Sequence, residues 1–406
     1  MLMVADTTTE KKAMGYKVAA CVTVAVVGAI ALIAHPAVDL GFEQHVPRFL
    51  LSDAKLFKLA KNSRVKYSTL SGHHQRKLFT EFQKDFGKEY KGNREEKARL
   101  KHFKDFLEMV DERNAEEVAA GGEALHGITK FADLSQAEFE SAYLGAFVQA
   151  KEKNMADTGA KVASVTELTK EGTESKDWTG IYTTSVNDQG SCGASWAFAA
   201  VEQIESDGIR EGLLDIKEAK LSTQQVISCQ TADDQQACAG GYTWNTYGFA
   251  ASTGGLALYK DYPYTSGTTG AAGTCNKQEA VVSAVTVKEG RYLYNQEATM
   301  QNYVLSTGPL AAHVSARRWN TYVSGVMMAQ ACAGWDGYEA WHAVQITGVD
   351  LGNGYWKIRN SWGPDFGEDG YVYLQTDATA STNTCGVASF ASYVDVEPAA
   401  GKRKQK

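Results

Sequence analysis

Four features that often reveal a function are missing from this chain of 406 residues. There is no excess of positive charge, since the formal net charge is −7, and this argues against a nucleic-acid partner. No cluster of Cys and His has the spacing of metal ligands, so we expect neither a metal nor another cofactor. An internal repeat and an Asn-x-Ser/Thr glycosylation site are also missing, so neither feature helps to assign the chain.

Cysteine is scarce and unevenly placed. Of the seven cysteines, Cys21 lies in an apolar stretch near the N-terminus. The other six lie in the C-terminal half, and an even number there predicts three disulfides and an oxidising compartment. Six cysteines allow 15 pairings, and spacing alone does not choose between them. Free buried thiols in a cytosolic enzyme are the alternative. The six are Cys192, Cys229, Cys238, Cys275, Cys332 and Cys385.

The N-terminus has the pattern of a membrane-targeting segment. Residues 1–17 are polar and contain Lys11, Lys12 and Lys17, whereas residues 18–34 carry no charge. As a helix this uncharged stretch would span about 25 Å, somewhat less than the roughly 30 Å of a hydrocarbon core. It is therefore either a short signal-anchor or a signal peptide. The preceding lysines favour a cytosolic tail, with the remainder of the chain in the secretory pathway as a single-pass type II membrane protein or a secreted one.

Residues 35–74 are predicted to form a stem. Between residues 50 and 64, Leu and Phe alternate with Lys and Arg. This pattern fits a basic amphipathic helix on a membrane surface, and it fits a solvated helical linker equally well.

Residues 75–145 have the pattern of a small helical unit. Aromatic residues at spacings of three and four predict one helical face, formed by Phe79, Phe82, Phe86 and Tyr90. A second helix follows, on which Glu95 and Arg99 have the spacing to pair.

The next segment, residues 146–171, is polar and predicts a linker open to proteolysis, with maturation near residues 170–175. The last segment, residues 399–406, is a short basic tail.

Residues 172–398 predict an α+β unit with two lobes, because a helical half precedes a strand-rich half. A helix is expected from Trp196 to Gly208, and Ser222 is expected to cap another. Alternating apolar and polar residues predict the strands Val281–Val287, Pro309–Val314, His342–Val349, Tyr355–Arg359 and Gly370–Leu374.

The most informative stretch runs from Asn187 to Phe198 and reads NDQGSCGASWAF. Its Gly-rich beginning predicts a loop and its apolar end a helix, so Ser195 is expected at a helix N-terminus. Unpaired N–H groups and the helix dipole favour negative charge there, which suits a nucleophile. A Ser that merely caps the helix is the simpler interpretation.

Two distant stretches support the nucleophile. One contains His342 followed by Ala343, and the other is Asn360-Ser-Trp-Gly. Together with the first stretch they resemble the papain-like peptidases (family C1), in which the nucleophilic Cys would fall on Ser195. The Gly-Ala-Ser sequence is similar to the silicateins. The neighbouring departures from the family pattern, Ala194 and Trp341, favour natural divergence over a laboratory exchange.

The resemblance implies a role for each matching residue. Ser195 would be the nucleophile and His342 the general base and acid, while Asn360 would orient the imidazole. Gln189 and the Ser195 N–H would form the oxyanion hole, and Trp362 would cover the His–Asn bond. The resemblance also implies the disulfides Cys192–Cys238, Cys229–Cys275 and Cys332–Cys385.

Residues 75–145 resemble the inhibitory propeptide of cathepsin L-like zymogens. The matching helix carries Glu95, Arg99 and Phe103, but Phe106 replaces an Asn of the family pattern. The following Gly-Ile-Thr-Lys-Phe-Ala-Asp motif has Thr129 in place of another Asn. The resemblance implies that this unit runs through the cleft in the non-productive direction and acts as an intramolecular inhibitor.

The expected substrate is a peptide or protein. Gly240 and Gly241, without side chains, would let an extended peptide pair with the main chain, although a plain turn after Cys238 is the alternative. The family's main specificity pocket would be formed by Tyr242, Val314, Ala340, Ala343 and Phe390, which predicts a shallow pocket for a medium apolar side chain.

Two functions remain open from the sequence, with a third less favoured. The chain is either a slow peptide hydrolase made as a zymogen, or an inactive pseudoprotease that binds peptides. The neutral Asn360 supports the second, because serine enzymes use a carboxylate to stabilise the imidazolium. A silicatein-like condensing or hydrolytic enzyme is the third. The expected location is a lysosome or vacuole, or the extracellular space.

Overall fold

A computed structural model describes residues 65–144, 161–162, 174–230, 237–276, 285–332, 341–377 and 383–399. The expected membrane segment 18–34, most of the stem and most of the basic tail lie outside these ranges. In the ranges that the structure describes, no helix is both long and apolar enough to cross a bilayer.

The N-terminal unit is helical, as expected. Its elements are α1 (Gly72–Asp85), α2 (Gly92–Ala119), β1 (Leu125–His126) and α3 (Gln136–Tyr143). Helix α1 begins after Ser71, whose side chain accepts a hydrogen bond from the N–H of His74. This start lies three residues before the expected boundary of the unit at residue 75. The turn Tyr67–Thr69 also packs here, because the N–H of Tyr67 donates to Asp111.

The aromatic face of α1 is shorter than the spacing predicts. The helix ends at Asp85, so Phe86 is its C-cap and Tyr90 lies beyond it. Tyr90 still stacks on Phe79, with ring centroids 5.8 Å apart, because the chain turns back after the helix. Phe79 also meets Phe103 of α2, at 5.3 Å. Ring packing is therefore the contact that holds α1 on α2.

The expected pairing of Glu95 with Arg99 is wrong. Glu95 accepts instead from the N–H of Lys91 at the start of α2, where a carboxylate is favoured by the helix dipole. Arg99 reaches Glu138 of α3 at 2.9 Å. Glu138 also completes a capping box with Ser135. The tertiary partner prevails over the local one because Glu138 is already fixed in place by the cap.

The C-terminal unit is α+β, as expected. Its helices are α4 (Ser195–Arg210), α5 (Thr223–Cys229), α6 (Thr243–Thr253), α7 (Ser266–Thr269) and α8 (Glu297–Ser306). Its strands are β3 (Ser175–Asp177), β4 (Val285–Tyr294), β5 (Leu310–Ser315), β6 (Tyr322–Ser324), β7 (Val326–Met327), β8 (Trp341–Asp350), β9 (Tyr355–Arg359), β10 (Tyr371–Gln375) and β11 (Phe390–Pro398). The predicted helix after Ser195 is confirmed, and so is the cap at Ser222, which accepts from the N–H of Gln225.

Among the residues that the structure describes, nine strands form one sheet, which includes β2 (Lys161–Val162) from the polar linker. The order is β2-β4-β11-β5-β8-β9-β10-β7, and β3 pairs with β8. The long neighbours from β4 to β10 are antiparallel, whereas β2–β4 and β10–β7 are parallel pairs. Helix α4 packs against β8 and β11. The strand that contributes His342 therefore lies directly against the helix that begins with Ser195.

Helix α4 carries three buried carboxyl groups. Arg359 lies 3.3 Å from Glu202, and Thr184 donates to Glu205 at 2.6 Å. Burial raises the pKa of Glu202, raises that of Glu205 to about 7 and raises that of Asp207 to about 6. In an unfolded chain such groups titrate near pH 4. The folded state thus keeps protons that the unfolded state releases, so the contribution of these groups to stability is fully present below pH ~4 and is lost as pH rises towards 7.

Three disulfides fix the loops of this unit. They are Cys192–Cys238, Cys229–Cys275 and Cys332–Cys385, the pairs that the resemblance implies. Their sequence separations are 46, 46 and 53 residues. On a chain-entropy account, closing loops of this length stabilises the fold by about 4 kcal/mol each.

Candidate active site

The loop before Ser195 is tightly packed, and this fixes where α4 begins. A Cβ on Gly193 would lie 2.5 Å from the carbonyl oxygen of Cys238, so no larger residue fits there. The Gly193 N–H donates to the same carbonyl, and the adjacent Cys192 is joined to Cys238. Ser195 is therefore held as the first residue of α4, with 3% of its surface exposed.

His342 and Asn360 are brought together by β8 and the end of β9. The His342 Nε2 lies 2.7 Å from the Asn360 Oδ1. Because this oxygen also accepts from the N–H of Ser361, Nε2 must be the donor and carry the proton. The other ring nitrogen, Nδ1, then has the free lone pair of a base. Trp362 covers the bond, with its ring centroid 4.8 Å from that of His342.

The His342 imidazole is held in its neutral form. Burial lowers its pKa to about 4, and the bond to Asn360 opposes the shift only in part. Within the described parts of the chain, Nδ1 makes no hydrogen bond. Above pH ~4 this side chain is therefore an available base rather than an imidazolium. In those same parts no three His, Cys, Asp or Glu residues are grouped to hold a metal ion.

The Ser195 hydroxyl lies beside His342 but does not bond to its ring. Its Oγ accepts a hydrogen bond of 3.2 Å from the N–H of Ala343. This bond joins the start of α4 to β8 across the two halves of the unit. The structure thus brings the three residues into one site, with the hydroxyl directed at the main chain next to the base.

Gln189 presents its amide N–H to the same site. Its Nε2 donates to the carbonyl oxygens of Cys192 and Tyr143, both at 2.9 Å. Its Oε1 accepts from the Ser361 hydroxyl at 2.7 Å, which fixes the orientation of the amide. Sequence reasoning gave Ser361 no role, although it stands inside the Asn-Ser-Trp-Gly motif. Its position one residue after Asn360 was the sequence feature that could have indicated this role.

The N-terminal unit covers this site. Phe131, Phe139 and Tyr143 place their rings 5.3, 5.4 and 6.4 Å from that of Trp362. The Tyr143 carbonyl takes the Gln189 N–H, as described above. The carbonyl oxygen of Leu144 lies near Gly193, at 3.5 Å from where a Cβ would be. The end of α3 therefore occupies the space that a substrate would need.

Buried polar contacts hold this cover in place. Arg113 donates to the side chains of Asn320 and Thr321, and β1 pairs with β6. Thr129, which replaces an Asn of the family pattern, donates through its hydroxyl to the Asn320 carbonyl. The replacement is thus accommodated by a direct bond. The other replaced position, Phe106, is buried in the unit.

The residues expected to form the specificity pocket differ in where the structure places them. Tyr242, Ala343 and Phe390 are buried near the site, and Ala340 lies outside the described residues. Val314 pairs with His342 across the β5–β8 ladder, whereas its neighbour His313 pairs with Ala343. Directly opposed residues share a face and consecutive residues alternate. Val314 therefore shares a face with His342 rather than with Ala343, and the residue opposite Ala343 is His313, which the sequence reasoning did not name.

Gly240 and Gly241 lie between the turn Ala237–Ala239 and α6, near the Cys192–Cys238 bridge. Gly240 has φ +132°, a backbone conformation that side-chain-bearing residues rarely adopt. The glycine is therefore required by the backbone itself, as in the plain turn that was the alternative to peptide pairing.

Comparison with known families agrees with this arrangement. The model described as "Papain family cysteine protease" matches residues 172–395. The one described as "Cathepsin propeptide inhibitor domain (I29)" matches residues 79–139. The chain thus belongs to the papain family of cysteine proteases and carries a cathepsin-type propeptide.

Individual relatives agree with this placement. "Cysteine protease 1" of Oryza sativa subsp. japonica is 33% identical over 312 residues, which are 74% of this chain and 59% of that protein, so the match spans about three fifths of its length. "Cathepsin L-like proteinase" of Phaedon cochleariae is 31% identical, covering 78% of this chain and 92% of the relative. The structure of "digestive procathepsin L 3" of Tenebrio molitor larval midgut has a TM-score of 0.63 and 25% identity, covering 79% of this chain and 98% of that one.

Proposed function

We propose that the chain is the precursor of a slow peptide hydrolase in which Ser195 is the nucleophile. The observation that carries the proposal is the state of His342. Its Nε2 carries a proton and donates to Asn360, while its Nδ1 makes no hydrogen bond among the described residues and is unprotonated in the precursor above pH ~4. A hydroxyl remains protonated at neutral pH, so it needs a neutral base to accept its proton during attack. A thiol would instead profit from an imidazolium.

The reaction would proceed in two steps. The Ser195 Oγ attacks the peptide carbonyl carbon while its proton passes to Nδ1 of His342. The Gln189 amide and the Ser195 N–H donate to the developing oxyanion. His342 then returns the proton to the leaving amine as the C–N bond breaks, which leaves an ester on Ser195. Water, deprotonated by His342, cleaves that ester and restores the hydroxyl.

The rate is expected to be low. The oxygen nucleophile generates an imidazolium that Asn360 can orient but cannot neutralise. In a serine protease, exchanging the corresponding Asp for Asn lowers kcat by roughly 10⁴-fold, which is about 5 kcal/mol of barrier. Activated esters, which need less help at the leaving group, should therefore turn over more readily than peptides.

We propose that the N-terminal unit inhibits this site until it is removed. The Tyr143 carbonyl takes the Gln189 N–H that the oxyanion would need. Cleavage in the polar linker 146–171 would allow the unit to leave. The three disulfides suit an oxidising compartment, so we place the protein in the secretory pathway, held or directed there by residues 18–34.

A second candidate function is peptide binding without turnover. It is favoured by the hydrogen bond from the Ala343 N–H to the Ser195 Oγ. This bond engages a lone pair of the Ser195 Oγ, the atom that would have to attack a substrate carbonyl. If the bond persists after the propeptide has left, the cleft would hold a peptide but start no attack.

The test is turnover by the protein after limited proteolysis of its linker. Activated ester and peptide substrates are compared for the wild type, Ser195→Ala, Ser195→Cys and His342→Ala. The hydrolase proposal expects ester turnover in the wild type that is lost in Ser195→Ala and His342→Ala. Activity in Ser195→Cys, with a wild type no faster than His342→Ala, would support the binding function instead.

A further inference from the structure

His313 lies on the face of β5 that packs against helix α6, where its Nε2 is 3.4 Å from the Thr243 Oγ1, beside residues of the candidate specificity pocket. It pairs directly with Ala343 across the β5–β8 ladder, and opposed residues share a face. Ala343 is also the residue whose N–H contacts the Ser195 Oγ. The imidazole of His313 therefore stands opposite the residue that contacts the nucleophile, on the face that meets the helical half of the unit.

Aromatic rings surround this imidazole. Its centroid is 4.7 Å from that of Phe390 and 6.0 Å from that of Trp244. Trp244 in turn stacks on Tyr242 at 4.2 Å and meets Phe390 at 5.5 Å. Tyr294 approaches Phe390 from the other side at 5.1 Å. These rings form one continuous packed group.

Three members of this group are buried, whereas Trp244 and Tyr294 are partly exposed. Tyr242 is 3% exposed, His313 5% and Phe390 5%. Interiors packed at this density have few voids larger than a water molecule. The rings of the chain itself thus fill the part of the predicted pocket that Tyr242, His313 and Phe390 line.

We propose that His313 is a specificity-determining residue whose ring fills the side-chain pocket, so that the cleft takes substrates with a small uncharged residue (Gly, Ala or Ser) at that position. The proposal rests on the proposed function and narrows its substrate class. The pocket selects substrates by the size of this side chain. Burial and the neighbouring His342 lower the pKa of His313 to about 3, so its charge does not change at the pH of an assay.

The test uses a peptide library randomised at each of the three residues before the cleaved bond. One surplus methylene in a closed pocket changes kcat/KM by about 10- to 200-fold. Matured Ser195→Cys protein, chosen for its faster turnover, is expected to prefer Ala over Leu at one position by at least about tenfold. The exchange His313→Ala should remove that preference by raising the rate for Leu about tenfold or more.

Two further variants keep the result interpretable. Val314→Ala shortens the neighbouring side chain on the opposite face, and it should leave the ratio of Ala to Leu unchanged even if the absolute rate falls. His313→Gln retains much of the volume and should retain the preference for Ala. A starting preference for Leu, or an equal shift in Val314→Ala, would overturn the proposal.

Failure of the hydrolase function can be distinguished from failure of the pocket. Binding of the same peptides to matured Ser195→Ala protein is measured by fluorescence anisotropy, which needs no turnover. Preference for Ala in binding together with a wild type that cleaves nothing would refute the hydrolase and support the role of His313. Cleavage by the wild type, with no preference for Ala over Leu in either assay, would support the hydrolase and refute the role of His313.

Discussion

Exchanging Asn360 for Asp tests the reasoning about the base most sharply. The Asn360 Oδ1 receives the His342 and Ser361 donors, whereas its Nδ2 makes no hydrogen bond within the described ranges. Asn360→Asp therefore retains both existing bonds and adds a negative charge in direct hydrogen-bond contact with the forming imidazolium. The variant converts an orienting amide into a stabilising carboxylate.

The magnitude follows from two opposing terms. Unit charges ~4 Å apart interact by about 4 kcal/mol at an effective dielectric of ~20, which is roughly 10³-fold in rate. Residue 360 is fully buried, and desolvating a carboxylate costs several kcal/mol in practice. We expect the net gain in kcat/KM for an activated ester to be about 10- to 100-fold.

The assay is kcat/KM against pH for matured wild type and Asn360→Asp. The base must be neutral, so activity is lost as pH falls through the pKa of His342, which burial lowers in the precursor. A nearby carboxylate raises that pKa, and the acidic limb should therefore move to higher pH in the variant. Asn353→Asp, which adds the same charge on an exposed loop, is the matched control.

The reasoning about the base is refuted if Asn360→Asp is folded and no faster than the wild type. It is also refuted if the gain persists when His342→Ala is added, because the charge would then act without the imidazole. A similar gain in Asn353→Asp would show that the faster rate comes from the added net charge and not from the position of the carboxylate.

Three further predictions concern inhibition, the oxyanion donor and pH. Phe131→Ala removes a ring packed on Trp362, so inhibition of the matured protein by added residues 65–144 should weaken about tenfold or more, measured as Ki. Ser361→Ala frees the amide of Gln189, which should lower kcat by roughly tenfold while KM changes little. Because burial raises the pKa of Glu205 and Asp207, the Tm should be higher at pH 4.5 than at pH 7.5, and Glu205→Gln should reduce that difference.

The strong local signals in the sequence predicted the fold well. Ser222 caps its helix, and the predicted strand Tyr355–Arg359 has the bounds found in the structure. The cap and the strand both depend on residues that are close in the sequence, so a local sequence pattern is enough to predict them. The pairing of Arg99 depended on Glu138, 39 residues further along the chain. Such a partner is chosen by tertiary packing, which local spacing does not contain.

The candidate site was predicted by its order of motifs rather than by any single residue. Gln189, Ser195, His342 and Asn360 lie in one site, but their spacing did not reveal that Ala343 contacts the hydroxyl. The specificity pocket was the weaker prediction. Which of Val314 and His313 shares a face with Ala343 depends on strand register, and a shift of one residue reverses the answer. The register is fixed by the pairing of β5 with β8, which lies outside the sequence pattern.

Covalent capture of the nucleophile tests the central claim most directly. The linker-cleaved protein is mixed with an activated ester, quenched in acid within the first turnover, and its peptides are analysed by mass spectrometry. The account predicts one acyl group on the peptide that contains Ser195, absent from Ser195→Ala and strongly reduced in His342→Ala. Peptide binding without any acyl group at Ser195, or with acylation at another residue, would contradict it.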